Sequence, residues 1–136
     1  MRATFRDGVT LTDSVHADLH LEQALLGALM IDPEALALVA DLVAAEDISH
    51  PAHRRIYEAM LSLQGRGVPV DYVLLCGEME RAGPLSGRQE AYLVSLINQC
   101  PTSLHCEHYA QAVAAAGKAR RQAAEPKHGA TGWLAH

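Results

Sequence analysis

Apolar side chains recur at helical spacing along most of this chain, in segments separated by proline, glycine and capping residues. In the first segment Leu21, Leu25 and Leu29 lie one helical turn apart. Asp32 and Pro33 end this segment and begin the next, because a proline at the first position of a helix loses no hydrogen bond. The pattern predicts a succession of short helices, with no sustained alternation of the kind that indicates a strand.

The helix boundaries follow from these capping and breaking residues. Asp18 is predicted to cap the first helix, because its side chain can accept hydrogen bonds from the free amides of a first turn. Glycine at Gly65 and Gly67 is typical of a helix end. Five further helices are predicted: Pro33 to about Ala45, Pro51 to Gln64, a fourth capped by Asp71 and closed by Ala82-Gly83-Pro84, a fifth between the polar turn Ser86-Gly87-Arg88 and Pro101, and a sixth capped by Thr102 or Ser103.

Composition supports helix-on-helix packing. Apolar residues make up 49% of the chain but aromatic residues only 4%, so Leu, Ala, Val and Ile must form most of the core. The fold class predicted is all-α, a compact orthogonal bundle of five to six short helices. We expect residues 1–17 to be a flexible leader, 18–117 the helical domain, and 118–136 a poorly ordered tail.

The charge distribution favours protein partners over nucleic acid. The net charge is −5, and residues 1–117 carry seven basic and fifteen acidic side chains, so this part would repel phosphates. An odd set of three cysteines indicates a reducing, cytoplasmic setting. The longest apolar run, residues 24–31, is too short to span a membrane.

No phosphate-binding loop is present in the sequence. The only Gly-Lys pair, Gly117-Lys118, is followed by Ala119, and Ala112 stands where the first glycine of such a loop would be needed. The chain is therefore predicted to be non-catalytic and to need no cofactor.

The order and spacing of the helical segments resemble those of a known family. The matching segments are Glu22-Gln23-Ala24, Leu26-Gly27-Ala28-Leu29, Asp32-Pro33-Glu34-Ala35, His50-Pro51-Ala52-His53-Arg54, Ile56-Tyr57-Glu58-Ala59, Gly67, Pro69-Val70-Asp71, Ala91-Tyr92-Leu93, Pro101-Thr102 and His108-Tyr109-Ala110 with Val113. Over residues 18–117 the chain resembles the N-terminal domain of bacterial replicative DNA helicases of the DnaB type.

The resemblance implies a helical domain that packs into dimers, builds a collar on a hexameric ring and contributes to primase and loader contacts. It also implies that the ATP-driven motor lies in a separate C-terminal domain. Two departures stand out. Gly87-Arg88 replaces a Gly-Gly pair of the family, and the sixth helix gives way to AAEPKHGATGWLAH where the family continues into a long helical hairpin. We therefore expect weak dimerisation at most.

Two groups of residues have the side chains that metal ions prefer, and one cysteine could in principle act as a nucleophile. His50 and His53 are three residues apart at a helix start, and a second group of zinc-type ligands comprises Cys100, His105, Cys106 and His108. Neither group has the two-pair spacing of a zinc finger, so no metal site is predicted. Cys106 beside a histidine could imitate a thiol and its base, but no orienting third group is identifiable.

The candidate partner surface consists of Tyr109, Ala112, Val113 and Ala116 on the sixth helix, together with Arg54 and Arg55 on the third. Small residues allow a second helix to approach closely, although the same stripe could equally pack inward on helices one and five. The arginines could bind a carboxylate of a partner or a phosphate, or simply be solvated.

The basic residues Lys118, Arg120 and Arg121 fit a helix C-terminus, where the dipole favours cations, better than nucleic acid.

The functional prediction is a protein-interaction and oligomerisation domain of the replicative helicase type, which engages itself, primase or a loader. The alternative is a small helical DNA-binding regulator, since helices three and four are joined by a glycine turn. The acidic balance and the Val68-Pro69-Val70 insertion argue against that alternative.

Overall fold

The computed structural model describes residues 11–100 and 102–124. Six α-helices follow one another: α1 Leu11–Ile31, α2 Leu36–Leu42, α3 Pro51–Gly65, α4 Tyr72–Ala82, α5 Gly87–Gln99 and α6 Cys106–Ala124. Two short 3-10 turns, Pro33–Ala35 and Ala45–Asp47, flank α2. All regular elements in the described ranges are helical, which confirms the predicted all-α class and the number of helices.

Side-chain caps mark the starts of α4 and α5. Asp71 Oδ1 accepts from the amide of Leu74 at 2.8 Å, and Ser86 and Gln89 bond reciprocally at the start of α5. Asp32 makes no side-chain cap; Pro33 instead opens a 3-10 turn ahead of α2. Gly67, just after the end of α3, has a positive φ of 72°, the left-handed conformation that is typical of the residue following a helix.

Two boundary predictions are wrong. α1 begins at Leu11, seven residues before the predicted cap Asp18, and α6 runs to Ala124 rather than fading at Lys118. Asp18 accepts instead from Arg120 Nη1 at 3.3 Å, so the early part of α1 lies beside the late part of α6. Residues 118–124 are all good helix formers, so α6 continues beyond its last apolar position.

The predicted leader and tail are therefore helical over residues 11–17 and 118–124. Residues 1–10 and 125–136 lie outside the described residues, as does Pro101, the predicted end of the fifth helix.

α1 and α6 are packed side by side, and each also contacts other elements of the bundle. α1 packs on α3 and α5, α6 packs on α2 and the second 3-10 turn, and α3 packs on α4. The largest fully buried apolar side chains come from α1 to α5 and include Leu25, Leu26, Leu29, Leu36, Ile48, Tyr57, Met60, Leu75, Leu93 and Leu96. Among the described helices, none is both long and apolar enough to cross a membrane.

Candidate functional site

A buried carboxylate of α1 binds the segment that leads into α3. Glu22 is 1% exposed, and its Oε2 accepts from the amide and the hydroxyl of Ser49 at 2.6 and 2.7 Å. Its Oε1 lies 3.3 Å from the amide of His50 and 2.8 Å from Nδ1 of His53. A carboxylate can accept about four hydrogen bonds, so these four contacts use its full capacity as an acceptor.

The network continues from α3 to α5 through His53, which is fully buried. Its Nε2 lies 2.5 Å from the hydroxyl of Tyr92, which also accepts from Gln23 Nε2 at 3.1 Å. Nδ1 donates to the carboxylate, and Nε2 shares the second hydrogen bond with the Tyr92 hydroxyl. The network therefore fixes α1, α3 and α5 relative to one another.

Opposing effects act on the pKa of Glu22. Burial raises it, while hydrogen bonds from His53, Ser49 and the amide of His50 lower it, and the net result is a lowered pKa. The carboxylate is therefore the form that the fold stabilises, as expected where several N–H and O–H groups converge on one charge.

The position of Glu22 in the sequence is a signal for this network that hydrophobic periodicity alone does not explain. Glu22 shares a helical face with Leu25, Leu26 and Leu29, three residues that are fully buried. A charged residue in a core register needs a buried partner. The sequence does not reveal that His53 and Tyr92 are those partners, because they follow 31 and 70 residues later.

A groove lies beside this network, between α3 and α5, with one residue of α4 in its floor. We call it the α3–α5 groove; its volume is about 510 Å³. It is lined by His50, Pro51, Ala52, Arg55, Ile56, Met79, Arg88, Gln89, Tyr92 and Leu93. The lining combines buried apolar side chains with two arginines and contains no carboxylate.

Arg54 and Arg55, both predicted partner-surface residues, bind backbone carbonyls of neighbouring elements. Arg54 donates through Nε and Nη2 to Ile48 O at 3.2 and 2.9 Å. Arg55 Nη2 donates to Met79 O at 3.2 Å and Gly83 O at 3.1 Å, at the C-terminal end of α4. Arg55 also lines the groove, whereas Arg54 does not.

The predicted stripe on α6 is only partly accessible. Val113 is 2% exposed and belongs to the core, while Tyr109, Ala112 and Ala116 are half-buried. The structure does not bring this stripe together with Arg55 in one pocket. Its role as a partner surface stays a prediction.

The two histidines of the first candidate metal group have other roles in the structure. Both ring nitrogens of His53 are engaged by Glu22 and Tyr92, and Nδ1 of His50 accepts from the amide of Ala52 at 3.2 Å. Over residues 11–100 and 102–124, no three or more His, Cys, Asp or Glu side chains are grouped so that they could hold a metal ion.

Cys106 is a core residue and not an activated thiol. It is 5% exposed, and burial, with a smaller effect of the Asp32 charge, raises its pKa to about 11. Such a thiol is protonated at neutral pH and is a poor nucleophile.

The basic residues near the end of α6 contact acidic groups of the same domain. Arg120 binds Asp18 and the carbonyl of Asp47, and Arg121 pairs with Asp47 Oδ1 at 2.5 Å. These contacts fasten α6 to α1 and to the second 3-10 turn. Lys118 is exposed.

Comparison with known families and proteins gives a consistent result. The sequence model of the DnaB-like helicase N terminal domain matches residues 14–115. The replicative DNA helicase DnaB of Mycobacterium leprae is 38% identical over 105 residues, which cover 76% of this chain and 17% of the relative. The replicative DNA helicase DnaC of Bacillus subtilis is 36% identical over 102 residues, covering 71% of this chain and 21% of the relative. The chain thus spans about a fifth of the length of these relatives.

Two solved structures have a similar fold. The N-terminal domain of DnaB helicase from Mycobacterium tuberculosis matches with a TM-score of 0.71 and 36% identity over 77% of each chain. The corresponding domain from Helicobacter pylori, described together with its interactions with primase, matches with a TM-score of 0.72. The latter is 16% identical and covers 84% of this chain and 89% of that one, so it supports the fold alone.

Proposed function

Because the chain belongs to the family of DnaB-like helicase N-terminal domains, we propose that it acts as a module through which a replicative helicase engages other proteins. The candidate partners are primase, a helicase loader and further copies of the domain. The 136-residue sequence contains no phosphate-binding loop, so the module contributes contacts and no ATP hydrolysis of its own. Its proposed place of action is the cytoplasm.

The observation that carries this proposal is the agreement between sequence and fold over the same segment. Residues 14–115 match the helicase N-terminal domain family, and the folded chain superimposes on a solved N-terminal domain at 36% identity. The H. pylori domain, which shares this fold, was studied with primase. A contact with primase is therefore the first partnership to test for this chain.

The experiment is a binding titration of the 136-residue chain with the primase and the loader of the same cell. Calorimetry should detect at least one complex with a dissociation constant in the range of roughly 1–100 μM or tighter. Sedimentation of the chain alone at increasing concentration tests self-association. If neither partner binds and the chain stays monomeric at all concentrations, the proposed function is wrong.

A parallel titration addresses DNA binding. Single- and double-stranded oligonucleotides should bind weakly or not at all, since the chain has a net charge of −5. A DNA-binding regulator would instead bind tightly, with an affinity that falls steeply as salt rises from about 50 to 200 mM.

A further inference from the structure

We propose that the α3–α5 groove is a docking site for a protein segment that presents apolar side chains flanked by carboxylates. The proposal rests on the proposed function in one respect: the occupant is taken to be a protein partner. It adds where on the domain that partner binds and what chemistry it presents.

The groove has an apolar lining. Ile56, Met79 and Leu93, which are 2%, 4% and 1% exposed, form its closed floor, and the accessible apolar surface above them comes from Pro51, Ala52 and the ring of Tyr92. The three floor residues come from three different helices, so the floor exists only in the assembled bundle. A concavity of about 510 Å³ lies within the size range in which binding pockets enclose an apolar group.

The charge of the rim selects an acidic occupant. Among the seven arginines of the described residues, Arg66, Arg81, Arg120 and Arg121 lie within salt-bridge distance of carboxylates. No such pair is formed by Arg54, Arg55 or Arg88 in the described ranges, and two of these three line the groove. A domain with excess negative charge thus places two arginines that have no carboxylate partner among the described residues beside one apolar concavity, Arg55 bonded to backbone carbonyls and Arg88 exposed.

The walls are held in place before any partner arrives. Arg55 is fixed by the carbonyls of Met79 and Gly83, and Tyr92 by hydrogen bonds with His53 and Gln23. A partner would therefore immobilise few groove side chains, which lowers the entropic cost of binding.

A protein segment fits this groove better than nucleic acid. Two arginines could contact a phosphate, but nucleic-acid grooves combine a run of cations with several aromatic faces for base stacking. Here the lining contains one aromatic ring, Tyr92, besides the imidazole of His50, and the floor is aliphatic. DNA is therefore included as an arm of the test.

The probes are two synthetic helical peptides of about 16 residues, with the same leucine stripe and with flanks of either Glu or Lys. Each is titrated into the nitrogen-15-labelled 136-residue chain, as is a single-stranded oligothymidylate of similar length. We expect the Glu peptide to shift the amide signals of Ala52, Ile56 and Gln89 and to bind roughly tenfold more tightly than the Lys peptide.

Arg88→Glu is the diagnostic variant, and it should raise the dissociation constant for the Glu peptide by about tenfold. Arg88 is exposed in the first turn of α5, where a carboxylate is compatible with the helix dipole, so the variant should fold normally. Lys118→Glu is the matched control; it makes the same change of charge on the exposed face of α6 and should leave binding within about twofold.

The proposal is overturned if the Glu peptide does not bind, if its shifts lie outside the groove, or if the Lys peptide binds equally well. It is also overturned if Arg88→Glu binds like the parent chain, or if the oligothymidylate occupies the groove more tightly than the peptide. Primase or loader binding that is insensitive to Arg88→Glu would refute the docking site while leaving the proposed function intact.

Discussion

At the scale of single residues, the most consequential side chain is Glu22. A carboxylate at 1% exposure is normally costly to bury, and here it accepts from two backbone amides, one hydroxyl and one imidazole. In return it satisfies free amides ahead of α3 and places a negative charge at the positive end of that helix. The same residue therefore holds the start of α3 against α1.

Replacing Glu22 with Gln should destabilise the domain by about 2–4 kcal/mol at pH 7, because an amide nitrogen would face the donors that now bind an oxygen. Chemical denaturation of the variant and the parent chain measures this difference. Glu46→Gln, a change of an exposed carboxylate on the second 3-10 turn, should cost less than about 0.5 kcal/mol.

The pH dependence follows from the lowered pKa of Glu22. A carboxyl whose pKa is depressed in the native state stabilises the fold fully above its unfolded value, near 4.5, and loses that contribution as pH falls through the native value. The stability gap between the parent chain and Glu22→Gln should therefore narrow below about pH 4.5. A gap that stays constant down to pH 3 would contradict the assignment.

At the scale of helices, two glycines mark the closest crossings. A Cβ placed on Gly27 would overlap the carbonyl oxygen of Leu96 and lie 2.9 Å from Cys100 Cβ. A Cβ on Gly117 would lie 2.5 Å from Asp47 Cα. Only the absence of a side chain lets α1 approach α5, and α6 approach the second 3-10 turn, to this distance.

Gly27→Ala and Gly77→Ala should therefore have opposite signs. In α4, Gly77 has open space around its Cβ position, so alanine should stabilise the domain by about 0.5–1 kcal/mol through helix propensity. In α1, the same gain at Gly27 is outweighed by overpacking against the α5 backbone, with a net loss of about 1–2 kcal/mol. Equilibrium unfolding in urea compares the two. Equal effects would mean that the α1–α5 crossing is looser than described.

At the scale of the whole molecule, the first and last helices depend on each other. α1 and α6 are packed together, and an ion pair between Asp18 and Arg120 links them. α6 also buries Ala110 and Val113 in the common core. The bundle is therefore closed by a contact between elements about 90 residues apart.

Removal of α6 should abolish cooperative folding. A chain that ends at residue 104 loses the buried side chains of Cys106, Ala110 and Val113 and exposes the α1 face that they cover. We expect this to lower the free energy of unfolding by more than about 3 kcal/mol, a large part of the stability of a small domain. Thermal melts by circular dichroism should show a broad transition, whereas a chain that ends at residue 124 should melt cooperatively. Two cooperative melts within a few degrees of each other would refute this.

Local sequence determined the helical class, most helix limits between residues 32 and 99, and the family. These depend on periodicity, caps and breakers, which act over one or two turns. Asp71 and Gly67 each act where their chemistry predicts.

Tertiary structure alone decided two features. It joined Glu22 to His53 and Tyr92, and it brought Arg55 and Arg88 to one groove. The physical reason is the same in each case: the deciding partner lies on another helix, so its effect exists only once the core has formed.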